Sequence, residues 1–283
     1  MLSFMVYLRV CGDVFKLLWD SLVNLALTTF MVCELIGRAQ TCTLHLTCLE
    51  LYDTERHLLL ALATGSVGSA LTLARRCLEL GTSGIVYELL WRGTDIKPLD
   101  KHVGHVRRLG SGSGEACNYV LREVNEGKLT LRADVGIKYV SEHVYKGLKV
   151  MSSEVVNLLS NSFKTLTRGI YSFFSEFTHG RKPTFFSAWL KPPIVKDDPR
   201  LCDSYIVTGL SVASLLALMN LMYLNYVSKY LRDHINREGI CYIVNNILAV
   251  KDKIKKIHEL SGKHESEVNT VLTLLDGFTL LCT

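Results

Sequence analysis

Hydrophobic residues follow one another without a single charge from Tyr205 to Val227, a stretch of 23 residues with charged sequence on both sides. As a helix rising ~1.5 Å per residue it would measure roughly 35 Å, enough to cross a hydrocarbon layer of ~30 Å. Small residues within it, such as Gly209 and Ala213, would allow close helix packing in lipid. The pattern predicts a transmembrane helix, with the core helix of a soluble all-helical domain as the alternative.

The first forty residues form a second apolar stretch, but charged residues interrupt it repeatedly. The charge-free run from Ser21 to Cys33 is only 13 residues long, which is short for a span. We therefore expect residues 1–40 to form an apolar helix at a membrane interface, with a second span as the alternative.

From residue 138 the hydrophobic period becomes helical over about forty residues. Apolar residues recur every three to five positions from Val140 to Phe177, with lysine, serine and asparagine on the opposite side. This predicts a long amphipathic helix, either a core or coiled-coil helix or one that lies on a membrane surface. Aromatic residues interspersed with basic ones follow, as is typical of the headgroup layer. The predicted membrane-interface residues are Phe173, Phe174, Phe177, Phe185, Phe186 and Trp189.

Residues 41–135 show shorter and mixed periods. Apolar and polar residues alternate in residues 43–51, which predicts a strand, and two runs flanking residues 125–127 predict a β-hairpin. Helices are predicted from Val67 to Leu80, ending at Gly81, and from Ile85 to Trp91, ending at Gly93. These patterns indicate a small α+β domain.

Two further helices are predicted after the apolar stretch, over residues 240–260 and 264–281. The first carries a basic patch that consists of Lys251, Lys253, Lys255 and Lys256.

These patterns divide the chain into five segments and predict a mainly α fold. Residues 1–40 form the apolar N-terminal helix, and 41–135 form the small α+β part. Residues 136–192 form the amphipathic helix and an aromatic collar. Residues 193–238 hold a connector and the one transmembrane helix, and 239–283 form a basic helical tail.

Composition narrows the class of protein. The chain is 48% apolar and carries a net charge of +5, which fits one or two spans attached to a folded part better than a multi-span transporter. Its nine cysteines are odd in number and include no Cys-x-x-Cys pair, so we expect them to be reduced in an intracellular compartment. Cys42, His45 and Cys48 do not have zinc-knuckle spacing, and neither a metal nor a cofactor is expected.

Two segments hold residues with possible chemistry. Cys117 follows a glycine-rich loop, as the nucleophile of a papain-like protease would, and His143 or His179 would be its partner. No aromatic residue directly follows this cysteine, so a structural role is favoured. His102 and His105 would share one helix face, in a basic segment that is more typical of a solvated surface than of a metal site.

These features together favour a non-enzymatic scaffold or remodelling protein, anchored to an intracellular membrane with most of its mass in the cytosol. Its expected partners are the lipid membrane and other proteins or further copies of itself; RNA is compatible with the charge, but no motif supports it. The arrangement resembles that of membrane-remodelling replicase subunits of plus-strand RNA viruses, by architecture alone, and would imply work in a viral replication complex on host membranes. The alternatives are a soluble helical interaction module with residues 205–227 as its core helix, and a cysteine protease that uses Cys117.

Overall fold

The computed structural model describes residues 2–131, 135–136, 139–140 and 199–282, and these residues form helices and turns without a strand. The elements are α1 (Leu2–Ile36), α2 (Leu44–Ala63), α3 (Val67–Trp91), α4 (Asp100–Leu109), α5 (Gly114–Asn125), α6 (Pro199–Tyr230), α7 (Arg237–Ser261) and α8 (Glu265–Asp276), with 3-10 turns at Lys97–Leu99 and Gly277–Leu281. The predicted mainly helical fold is therefore confirmed. The predicted amphipathic helix and aromatic collar lie almost entirely outside the described residues.

The charge-free stretch forms α6, and α6 runs through the middle of the bundle. It packs against α1, α3 and α8, and every residue from Val212 to Val227 is buried. A helix with apolar side chains on all sides needs an apolar environment, and here the other helices of the same chain form that environment.

Two helical segments are long and apolar enough to cross a membrane, judged by length and composition. They are Cys11–Ile36 and Tyr205–Tyr230, each of 26 residues. Of the residues in the most apolar 18-residue stretch of the second segment, 89% are buried inside the bundle.

α1 and α6 lie side by side and run in the same direction. The rings of Phe15, just after the non-helical Gly12 of α1, and Tyr205, near the start of α6, lie 5.0 Å apart. Further along, Asn220 donates through Nδ2 to the carbonyl oxygen of Leu25, at 3.0 Å, and to Oγ1 of Thr29, at 3.1 Å. This amide is a satisfied buried group that fixes the register of the two helices.

The predicted strand at residues 43–51 is wrong, because this segment opens α2. Leu44, Cys48 and Leu51 recur at helical spacing and are buried, whereas Leu46 and Leu49 are exposed. Because these two leucines face outward, the apolar stripe of a helix resembled the alternation of apolar and polar residues that is typical of a strand. The predicted α+β domain is wrong for the same reason.

The predicted hairpin is also wrong, because its first run forms α5. Oγ of Ser113 accepts a hydrogen bond from the backbone N–H of Ala116 at 3.1 Å and caps the helix. Ala116 and Val120 are buried one turn apart. Gly127, with φ +67°, follows the end of the helix and does not turn a hairpin.

α3 is one continuous helix where the sequence predicted two. Gly81 and Gly84 lie inside it, and both sit where another helix passes close by. A Cβ added at Gly81 would lie 2.5 Å from Sδ of Met219 on α6, and one at Gly84 would clash with the side chain of Thr47 on α2. These glycines allow close helix packing and do not end a helix.

The two helices predicted after the apolar stretch match α7 and α8. α7 ends at Gly262, which has the left-handed φ of +61° that favours glycine at a helix end. It buries isoleucines and valines on one side and exposes Lys255, Lys256 and Glu259 on the other.

Candidate functional site

Glu88 is a fully buried acid on α3 that caps another helix. Its carboxylate accepts hydrogen bonds from the backbone N–H groups of Cys42, at 2.9 Å, Thr43, at 2.8 Å, and Leu44, at 3.1 Å. These are N–H groups at the start of α2, where the helix dipole favours a negative charge. Burial nevertheless raises the pKa of Glu88 above its ordinary value, although these hydrogen bonds lower it. The carboxyl joins α2 to α3.

Arg92, one turn beyond Glu88, links the end of α3 to the end of α6. Its Nε donates to the hydroxyl of Tyr226 at 2.7 Å. Its guanidinium lies 5.3 Å from the ring centre of Trp91 and 6.0 Å from that of Tyr230. A cation over aromatic rings is favourable, so this arginine braces the helices and is not a free binding group.

Glu55 is a second fully buried acid, at the centre of the bundle on α2. In the described part of the chain its two carboxyl oxygens form no hydrogen bond of regular geometry. Burial raises the pKa of Glu55 well above its ordinary value, and the nearby hydroxyl of Thr29 opposes this only in part. Glu55 in turn raises the pKa of the buried Cys77 thiol on α3, although burial of that thiol has the larger effect. The interior therefore favours the neutral forms of both groups.

The two histidines of the basic segment meet a tyrosine between α4 and α5. Nδ1 of His102 lies 2.7 Å from the hydroxyl of Tyr119, and the ring of His105 is centred 4.3 Å from the tyrosine ring. Oε2 of Glu123 lies 4.0 Å from the same Nδ1 of His102. The predicted sharing of one helix face is confirmed. Across the described ranges, no group of three His, Cys, Asp or Glu side chains is arranged to hold a metal ion.

The cysteines are paired, contrary to the expectation that they are reduced. Four disulfides have Cα–Cα distances of 5.4 to 5.5 Å, well within the range for such bonds. They join Cys11 to Cys202, Cys33 to Cys48, Cys42 to Cys117 and Cys241 to Cys282. The ninth, Cys77, is a buried free thiol.

Of the protease candidates, only Cys117 lies within the described residues. The sulfur of Cys117 is bonded to that of Cys42, so it is not available as a thiolate nucleophile. His143 and His179 lie outside the described residues, as do all six of the predicted membrane-interface aromatics.

The predicted basic patch divides into two pairs. Lys255 and Lys256 are exposed on the outer side of α7. Lys251 forms an ion pair with Asp276 on α8, and Lys253 lies 3.8 Å from Asp20 on α1. Half of the patch therefore joins helices, and half faces solvent.

Neither buried acid was predicted, and only Glu88 could have been found from the sequence. Glu88 stands inside the apolar run from Ile85 to Trp91, whereas Glu55 lies in a polar segment beside Asp53 and Arg56. A lone acid in an apolar run is costly to bury and so marks a group with a specific role in the core. Comparisons of the chain with protein-family models, curated proteins and solved structures found no match.

Proposed function

We propose that this chain is a non-catalytic helical scaffold that binds protein partners, with α6 as its core helix. The observation that carries the proposal is the burial of α6 between α1, α3 and α8. A helix that anchors a protein in lipid must offer lipid an apolar face, and α6 has no exposed residue between Ile206 and Val227.

The outer surface of the bundle gives a second argument. α7 exposes Lys255, Lys256 and Glu259, and α2 exposes Asp53 and Arg56. A charged residue at the centre of a membrane costs about 2.5–3.5 kcal/mol even on the most lenient scale, and more by other estimates. Several such residues around the bundle favour water as its surroundings.

A cluster of exposed apolar residues on α1 and α2 suits a protein partner. Leu27, Phe30, Leu46 and Leu49 have exposed fractions between 38% and 57%. The rings of Phe30 and Tyr52 lie 5.2 Å apart across the two helices. A contiguous apolar patch with a polar surround is typical of a protein contact. We call these five residues the α1–α2 patch.

Photo-crosslinking in cells tests both parts of the proposal. A photoreactive amino acid in place of Leu49 should form adducts with protein, and one in place of Leu218, inside α6, should form only intramolecular adducts. The matched control is the same amino acid in place of Lys255, outside the patch. Lipid adducts at position 218 would overturn the assignment of α6 as a core helix. An absence of protein adducts at position 49 would remove the patch from the proposal.

The second candidate is the membrane-anchored scaffold or remodelling protein that the sequence pattern favours. It is supported by the two helical segments long and apolar enough to cross a membrane and by the amphipathic pattern of residues 136–192. The architectural likeness to viral replicase subunits belongs to this candidate. It requires lipid adducts at an exposed position of the first segment, such as Leu27, so a photoreactive amino acid there decides between the two.

A further inference from the structure

The four disulfides lie at both ends of the α1–α6 pair. Cys11, beside the non-helical Gly12 of α1, is bonded to Cys202 near the start of α6. Cys33 is bonded to Cys48 at the far end of α1. At ~1.5 Å per residue, the helical part of α1 from Asp13 to Cys33 covers roughly 30 Å. That separation equals the thickness of a membrane's hydrocarbon core, ~30 Å.

The other two disulfides lie at the same end as Cys33. Cys42 lies in the connection between α1 and α2 and is bonded to Cys117 on α5. Cys241, on the second turn of α7, is bonded to Cys282. The start of α7 faces the end of α1, since a Cβ added at Gly239 would lie 3.4 Å from Leu35. One disulfide therefore lies at one end of the pair and three at the other.

We propose that the whole bundle matures in one oxidising compartment, in which the eight paired cysteines close into these four disulfides. Disulfides persist in the secretory lumen and outside the cell, and glutathione keeps cytosolic thiols reduced. If α1 and α6 crossed a membrane, Cys11 and Cys202 would face one compartment and the other three pairs the opposite one. One of the two sets would then meet the reducing cytosol.

Each bond forms by thiol–disulfide exchange with a donor protein disulfide. The thiolate of one cysteine attacks the donor, its partner cysteine then displaces the donor thiol, and the donor leaves with both thiols reduced. Two electrons and two protons pass to the donor for each pair. Cys77 takes no part, because its thiol is buried on α3 and bonded to no other sulfur.

Alkylation of the full chain tests this directly. Cells that produce the chain are lysed in acid, and free thiols are alkylated with N-ethylmaleimide in denaturant before and after reduction. We expect one adduct, on Cys77, before reduction and nine after it. Peptide mapping without reduction should recover the four linked pairs. Nine adducts before reduction would overturn the proposal.

Partial oxidation would also overturn it. Free thiols at Cys11 and Cys202 with the other six cysteines paired, or the reverse, would show that the two ends lie in different compartments. The double variant Cys11→Ser with Cys202→Ser should keep the other three pairs, and Cys77→Ser should change only the single adduct. The result is independent of the scaffold proposal, since a chain with nine reduced cysteines could still hold α6 as its core helix.

Discussion

Removal of the Glu88 carboxyl is the sharpest test of how the bundle is held together. In Glu88→Ala the backbone N–H groups of Cys42, Thr43 and Leu44 lose their acceptor. A buried donor left without a partner costs about 1–3 kcal/mol. Three unpartnered donors, together with the lost charge at the start of α2, would cost more than this if no water entered the site. Water that enters the vacated space restores part of the lost hydrogen bonding, so we expect the free energy of unfolding to fall by about 3–5 kcal/mol.

Such a loss is a large share of the 5–15 kcal/mol that is typical of a folded protein. Glu88→Gln retains one acceptor oxygen but turns an amide donor toward other donors, so we expect a smaller loss of about 1–2 kcal/mol. The matched control is Glu79→Ala on the same helix. Its carboxylate forms a partly exposed ion pair with Arg75 at 2.9 Å, worth about 0–1 kcal/mol.

Urea unfolding of the oxidised full chain, followed by circular dichroism, measures these free energies. The dependence on urea concentration should be alike for all variants, so that shifts in midpoint report stability. If Glu88→Ala costs no more than Glu79→Ala, the three N–H groups do not depend on this carboxyl for their stability.

Three further predictions concern the core and the helix ends. Glu55 has a raised pKa, so the folded state holds its proton more tightly than the unfolded state does. The contribution of Glu55 to stability therefore falls as pH rises above the ordinary value of 4.5. Glu55→Gln should flatten that fall in urea midpoints measured across pH, and the exposed Glu259→Gln should not. Gly84→Ala should lower the free energy of unfolding by about 1–2 kcal/mol in chemical denaturation, because the added Cβ would clash with Thr47. Gly104→Ala, whose Cβ would meet open space, should raise the free energy of unfolding by about 0.5–1 kcal/mol. Equal effects of the two substitutions would contradict the role of Gly84 in close packing. Ser113→Ala should cost about 1 kcal/mol by the same measure through loss of the α5 cap, and an unchanged midpoint would show that the cap contributes nothing.

The periods of α7 and α8 and the end of α7 could be predicted from the sequence because they depend on local features, whereas α8 ends at Asp276, before the predicted residue 281. α7 has a clear apolar stripe, and Gly262 marks its end. The same local pattern gave a wrong prediction for α3, where Gly81 resembles a helix end. The actual role of Gly81 depends on Met219, which lies far away in the sequence. A glycine that allows close helix packing cannot be distinguished from a glycine at a helix end unless the residue that packs against it is known.

The candidate site was less predictable, because its contacts join distant residues. Glu88 binds backbone groups 44 to 46 positions away, and Cys11 pairs with a cysteine 191 positions away. No local pattern indicates either partner. The charge-free stretch in α6 has the same limitation, since a helix surrounded by other helices and one surrounded by lipid require the same side chains.

Alkaline carbonate extraction of membranes from cells that produce the intact chain shows whether α6 is buried in a water-soluble bundle or embedded in lipid. A luminal soluble protein in the same preparation must be released, and a protein with one established span must stay in the pellet. With α6 as the core helix of a water-soluble bundle, the chain should appear in the supernatant. Its quantitative recovery in the membrane pellet, together with release of a variant that lacks residues 205–227, would contradict the account and restore the transmembrane assignment.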